Sequence, residues 1–230
     1  MERAFVGTEL LDGGLTIGQL RWRYKAVHPR IYVPRGAASS VELDAHAAWL
    51  WTERRGVVAG RAAAALHGAQ WVHPGTPIEM IADQGRPRPG AIIREQRIDW
   101  DEVCMVGELP VTIPSRTALD LARHRNRDNA VRHLDALAAA TGITAADVAP
   151  LVDRYRGSRG MKRARIALEQ HQTERKRFVH DIGRNEMIER RGWLDIHVVK
   201  EHTWAFILHR IRESSERRGW YPLASSTPEL

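Results

Sequence analysis

Arginine and lysine carry most of the chemistry open to this chain. Its 230 residues hold 35 Lys/Arg against 28 Asp/Glu, a net charge of +7, and the surplus is unevenly placed. Residues 1–36 have six basic side chains against three acidic ones, 37–150 twelve against fourteen, and 151–230 seventeen against eleven. Positive charge collected at the two ends suits a phosphate backbone, which rewards clustered cations by releasing its counterions. Bond-breaking chemistry finds less to work with. The single cysteine, Cys104, lies in Val103-Cys104-Met105-Val106 and reads as a small buried hydrophobe. An internal disulfide and a multi-cysteine zinc site are therefore excluded. His197, His202 and His209 fall on no metal-ligand spacing with converging acids, so no metal is assigned.

The elements that must position these charges follow from caps and periodicity. Thr8 caps a short turn, Glu9 to Asp12, and Thr16-Ile17-Gly18-Gln19 is a capping box opening a helix through about Lys25. Its exposed face carries Arg21, Arg23 and Lys25. Ile31-Tyr32-Val33 then reads as a strand and Pro34-Arg35-Gly36 as a turn. Two short helices followed by a basic hairpin make a miniature winged helix-turn-helix. Ser39-Ser40-Val41-Glu42 starts another helix, with Leu43, Ala47, Leu50 and Trp51 near one face and Gly56 closing it. Val57 to Gly60 leads into an alanine-rich helix, Arg61 to His67, with His67 set to meet its last carbonyls. Trp49, Trp51 and Trp71 read as core or core-edge residues.

About four strands follow, at Ile78–Ala82, Ala91–Arg94, Val103–Val106 and Leu109–Ile113, the first two separated by a loop with Arg86 and Arg88. The last strand stops at Pro114, whose fixed φ suits a first helical position. The helix from there brings Arg116 and Asp120 one turn apart as a buried pair. Further helices are expected near 129–140, 145–155 (capped by Thr144) and 160–177, with Arg156-Gly-Ser-Arg159-Gly as a hinge. No apolar run is long enough to cross a bilayer, and the start of the chain lacks a secretory pattern, so a cytoplasmic protein is expected.

Val111-Thr112-x-Pro114-x-Arg116-Thr117-x-x-Asp120-Leu121 resembles a signature of AbiEi-type antitoxins, the repressors of type IV toxin–antitoxin systems. The Ala-Ala-Leu-His-Gly-Ala run and the N-terminal Leu-Thr…Gln-Leu…Arg-Ile-Tyr-Val-Pro-Arg-Gly order are similar to the same family. The resemblance implies double-stranded DNA and a cognate toxin as partners. It makes Gln19, Arg21, Arg23 and Lys25 groove or phosphate contacts, and Tyr32 and Arg35 wing contacts. Pro114, Arg116, Thr117 and Asp120 take the structural part.

A second resemblance covers roughly residues 169–212. Glu169-Gln170-His171-Gln172-Thr173, then Phe178, Asp181, Arg184, Glu186, Glu189, Gly192-Trp193 and Val198-Val199, looks like the end of a Vsr-like endonuclease domain of the PD-(D/E)XK superfamily. It implies magnesium-dependent phosphodiester hydrolysis, with Glu169, His171 and Asp181 as the catalytic candidates. The family's metal-binding acids lie on strands before the Gln-His, however, and here Met161 to Leu168 is basic and helical in period. A remnant without catalysis or cofactor is expected, with His171 a surface or capping residue and Asp181 paired with Arg184. A helix follows at Ile207-Leu208-x-x-Ile211, and residues after Trp220 read as a disordered tail.

The expected fold is α+β. A winged-helix-like module at 1–36 precedes an antitoxin-like α+β region at 37–127 and a helical linker at 128–168. A nuclease-like helix–strand–helix remnant at 169–222 and a tail at 223–230 complete it. The expected function is a non-catalytic, antitoxin-like transcriptional regulator. The alternatives are a divalent-metal DNA endonuclease and a toxin-neutralising interaction module.

Overall fold

The computed structural model describes residues 3–83, 89–190 and 203–217, and it is a mixed α+β fold with two sheets. The first sheet is built from β1 (Phe5–Val6), β2 (Tyr24–His28) and β3 (Ile31–Pro34), antiparallel in the order β1-β3-β2. Between β1 and β2 run α1 (Gly7–Asp12) and α2 (Ile17–Arg23). Strand β1 was not evident in the sequence. The cap of α1 is Val6 rather than Thr8.

Helix α3 (Val41–Trp51) starts where the Ser40 hydroxyl accepts the Leu43 N–H at 3.1 Å. It is apolar on two sides, as a helix buried between layers must be. Leu43, Ala47 and Leu50 pack with Ala4 and with Ile31 and Val33 of the first sheet, while Val41, Ala45 and Ala48 join the core of the second. The helix ends at Trp51 with Thr52 as its cap, five residues sooner than the glycine expected to close it; the Thr52 hydroxyl donates to the Trp49 carbonyl and accepts the Gly56 N–H.

The second sheet has five strands rather than about four, in the order β6-β5-β4-β8-β7. They are β4 (Val57–Ala59), β5 (Ile78–Ile81), β6 (Ala91–Arg94), β7 (Val103–Val106) and β8 (Leu109–Thr112). The added strand, β4, is the central one, parallel to β8 and antiparallel to β5. Gly60, at φ +59, turns it into α4 (Gly60–Leu66), whose Ala62, Ala63 and Ala64 are fully buried. His67 does not meet the last carbonyls of α4; its Nε2 lies 2.7 Å from the Thr112 carbonyl of β8. Cys104 is only partly buried, because β7 is an edge strand. Trp71 is 73% exposed at φ +71 and is no part of the core, whereas Trp49 and Trp51 are partly buried there. Arg86 and Arg88 lie outside the described residues.

Four helices follow, α5 (Pro114–His124), α6 (Arg127–Thr141), α7 (Ala145–Arg154) and α8 (Met161–Arg190). Leu119, Leu134, Leu137, Leu151, Met161 and Ala164 close their shared core. The Asp147 carboxylate takes the Thr144 N–H at 2.8 Å, tying down the start of α7. The Gly/Ser turn between α7 and α8 is pinned rather than hinged. Arg123 donates to the Arg159 carbonyl at 3.2 Å, and a Cβ on Gly160 would stand 2.9 Å from the Arg123 carbonyl. The chain divides instead within α8, into units Met1–Thr173 and Glu174–Leu230.

The second unit holds the rest of α8 and, among its described residues, α9 (Trp204–Arg217). The Thr203 hydroxyl accepts the Phe206 N–H at 3.3 Å, and Trp204, Leu208 and Ile211 are exposed. Gly192-Trp193, the expected strand at Val198-Val199 and the expected tail lie outside the described residues. No described helix is long and apolar enough to cross a membrane.

Candidate nucleic-acid interface

Helix α2 is set by its own cap. The Thr16 hydroxyl accepts the Gln19 N–H at 3.2 Å, and the Gln19 carboxamide accepts the Thr16 N–H at 3.0 Å. Gln19 is therefore already committed through its oxygen. Only Leu20 is buried on this helix, so the remaining positions look outward. Arg21, Trp22 and Arg23 are all exposed, Trp22 by 75%.

Lys25 is not on the helix. Tyr24 turns extended, at φ −124 and ψ 156, and the chain enters β2 with Lys25 opposite Val33. The cause is the register with β3: the Arg23 carbonyl accepts the Arg35 N–H at 2.9 Å, and helix hydrogen bonding stops there. Arg35 also places its guanidinium on the Arg21 carbonyl, Nη2 at 3.0 Å and Nε at 3.3 Å. It thereby satisfies a carbonyl in the last turn of α2 and ties that helix to the end of β3. Tyr32 is half-buried, its ring resting where a Cβ on Gly7 would lie at 2.6 Å.

Of the six candidate contacts, Arg21, Arg23 and Lys25 remain unpaired cations, and Gln19, Tyr32 and Arg35 have structural work to do. Among the described residues Arg21, Arg23 and Lys25 enter no ion pair, whereas the neighbouring Arg54 is held by Glu9 at 2.7 Å. Two guanidiniums flanking an indole on the outward side of α2, with an ammonium beyond them on β2, can hold phosphate and pack on a sugar or a base edge. This face carries no nucleophile. Trp22 was not singled out from the sequence. It stands about 200° around the helix from Leu20, which is the signal that marks it as outward.

The Pro114–Asp120 motif assembles a buried charge network. Arg116 and Glu102 are both fully buried and paired, and Arg116 Nε donates to Asp120 Oδ2 at 3.1 Å. Arg116 Nη1 also donates to the Tyr155 hydroxyl at 3.0 Å, and Tyr155 in turn donates to Glu102 at 2.8 Å. Burial and that bond push the Tyr155 phenol up to about 12. Thr117 donates to the Thr112 carbonyl at 3.0 Å, fixing the joint between β8 and α5. Asp99, Asp101 and Glu102 bring their carboxylates within 4.8 Å of one another, but Arg154 is the cation they hold, at 3.6, 2.8 and 2.8 Å.

The nuclease candidates are not gathered on strands. Glu169 and His171 lie on α8, Glu169 exposed. His171 is neither a surface nor a capping residue: it is 8% exposed, with Nε2 3.1 Å from Asp135 of α6, because its turn of α8 packs on the helical core. The side chains of Asp181, its expected partner Arg184, Glu186 and Glu189 lie outside the described residues.

No curated protein matches the chain. One family model does, and its span runs from just before β4 to the Gln170 of α8, taking in the whole second sheet and the Arg116 network. With a match over residues 55–170, the chain belongs to the AbiEi antitoxin C-terminal domain family.

Proposed function

We propose that the chain is a DNA-binding regulator of the antitoxin type, acting in the cytoplasm, which holds duplex DNA without cutting it. The observation that carries this reading is the unpaired, outward face of α2, Arg21, Trp22 and Arg23, with Lys25 beside it on β2. In this reading the N-terminal module works as a winged helix. Helix α2 enters the major groove, the β2–β3 hairpin lies along phosphate, and α3 serves as the third helix of the module from behind the sheet. Arg35 contributes by orienting α2, Tyr32 by packing the hairpin on Gly7.

The test is titration of duplex DNA from upstream of the chain's own gene, at several salt concentrations, with and without magnesium. Affinity that falls steeply with salt supports the regulator. Magnesium-dependent nicking that disappears in Glu169→Ala would mark a nuclease instead.

A second reading gives the AbiEi-type domain a cognate toxin as partner. It is favoured by the edge strand β7, which carries no charged side chain and exposes Met105 by 63% a few residues after Trp100, exposed by 89%. Edges left this apolar are templates for another chain. A complex with the neighbouring gene's product that survives high salt supports it.

A further inference from the structure

Glu79 of β5 is 1% exposed and is surrounded by more positive charge than it can neutralise. Arg94 of β6 donates to its Oε2 from both Nη2, at 2.7 Å, and Nε, at 3.2 Å. Arg125, just after α5, donates to its Oε1, and Arg61 of α4 stands 3.8 Å from the same oxygen. Three guanidiniums thus face one carboxylate, with each arginine side chain still between 20 and 24% exposed. The acid nearest in kind, Asp120, is engaged by Arg116 and Arg123.

The donors here are also underused. Arg61 Nε and Arg125 Nε are buried without a hydrogen-bond partner. Orphaned buried donors are rare in folded proteins and mark places where water or an ion completes the bonding. The local field agrees with the geometry. Burial chiefly, and Arg61 and Arg125 after it, hold the His133 imidazole below its ordinary range. Burial, then Arg94 and Arg123, bring His124 down to about 4.

We infer that the outer side of the Arg61, Arg94 and Arg125 cluster around Glu79 is a binding site for a phosphate-type oxyanion. Planar guanidiniums with donors to spare match tetrahedral phosphate oxygens, and the fifth or so of each side chain that meets solvent gives the ion an approach. The phosphate has two possible sources, a free ion and a nucleic-acid backbone, and the same chemistry serves both. This site lies on the second sheet and does not depend on α2 contacting DNA.

The experiment is calorimetric titration of the full chain with inorganic phosphate at constant ionic strength, using chloride as the control, followed by addition of a short duplex. Saturable phosphate binding that chloride does not mimic is expected, weakened about tenfold or more by Arg61→Ala and partly restored by Arg61→Lys. Displacement of the phosphate by duplex assigns the site to the backbone, and retention assigns it to a free anion; both support the proposal. Absence of phosphate binding beyond chloride overturns it, as does Arg61→Ala binding as tightly as the parent. Should Arg61→Ala not fold, the parent's phosphate isotherm and Arg61→Lys decide the matter. The α2 variant Arg21→Ala/Arg23→Ala is expected to keep phosphate binding, which separates this site from the proposed DNA face.

Discussion

Arg116 and Glu102 form an ion pair from which solvent is fully excluded, each side chain 0% exposed. They come from the two sides of the β7–β8 hairpin, and Tyr155 bridges them from the turn after α7. Such a pair holds a joint together because neither charge tolerates being left alone. Removing one partner strands the other in low dielectric, a loss of roughly 3–5 kcal/mol. Arg116→Ala is accordingly expected to lower the urea midpoint by that amount of stability, and Arg154→Ala, which strips only the outer cation from Glu102, to lower it less. Equal midpoints for Arg116→Ala and the parent would contradict this account.

Gly60 and Glu79 make a second constraint. A Cβ on Gly60 would meet the Glu79 carboxylate at 2.6 Å, at a φ of +59 that side chains rarely adopt. Gly60→Ala is expected to cost about 2 kcal/mol through strain and displacement of Glu79. Thermal unfolding of the variant checks it, and an unchanged melting temperature would tell against the contact.

The pH dependence turns on His124, one helical turn from Asp120 with Nε2 4.0 Å from its carboxylate. Burial and neighbouring arginines depress His124 from 6.5 to about 4, so the unfolded chain takes a proton that the folded one refuses. Its contribution is present above 6.5 and lost as pH falls toward 4. Burial pushes Asp120 the other way, from 3.8 up to about 6 despite Arg116 and Arg123, and that contribution is lost as pH rises through the same window. The two oppose each other in the parent. His124→Gln removes only the first, so relative to the parent it should gain about 2 kcal/mol between pH 7.5 and pH 5. Urea midpoints at the two pH values measure it; no relative gain at the lower pH would refute it.

How far these relationships can be read from sequence depends on their span along the chain. The β8–α5 joint was legible, since Pro114 ends a strand and starts a helix and Arg116 reaches Asp120 one turn on. Glu102 and Tyr155 were not, being 14 and 39 residues from Arg116 with no periodicity to link them. Strand β4 was missed because three apolar residues run straight into an alanine helix, and only pairing on both sides makes them a strand. Lys25 lies in β2, where the local sequence predicts the end of a helix. Helix propensity continues past Arg23, but pairing with β3 overrides it. In the candidate interface the charges were legible and the roles less so: nothing local to Arg35 says that it will lie on the Arg21 carbonyl.

Trp22, exposed by 75% between two arginines, is expected to contribute by apolar contact rather than charge. Trp22→Ala should weaken duplex binding severalfold, through lost apolar contact with sugars and base edges, while leaving its salt dependence unchanged. Anisotropy titrations across salt concentrations separate the two effects, and a changed salt slope would assign Trp22 a different role.

The most direct measurement is the affinity of the full chain for duplex DNA as a function of salt, alongside Arg21→Ala/Arg23→Ala. The parent is expected to give a straight, steep fall of log affinity with log salt, and the double variant weaker binding with a slope smaller by about 2. Duplex binding that ignores salt, or a double variant that binds as the parent does, would contradict the claim that α2 grips the phosphate backbone.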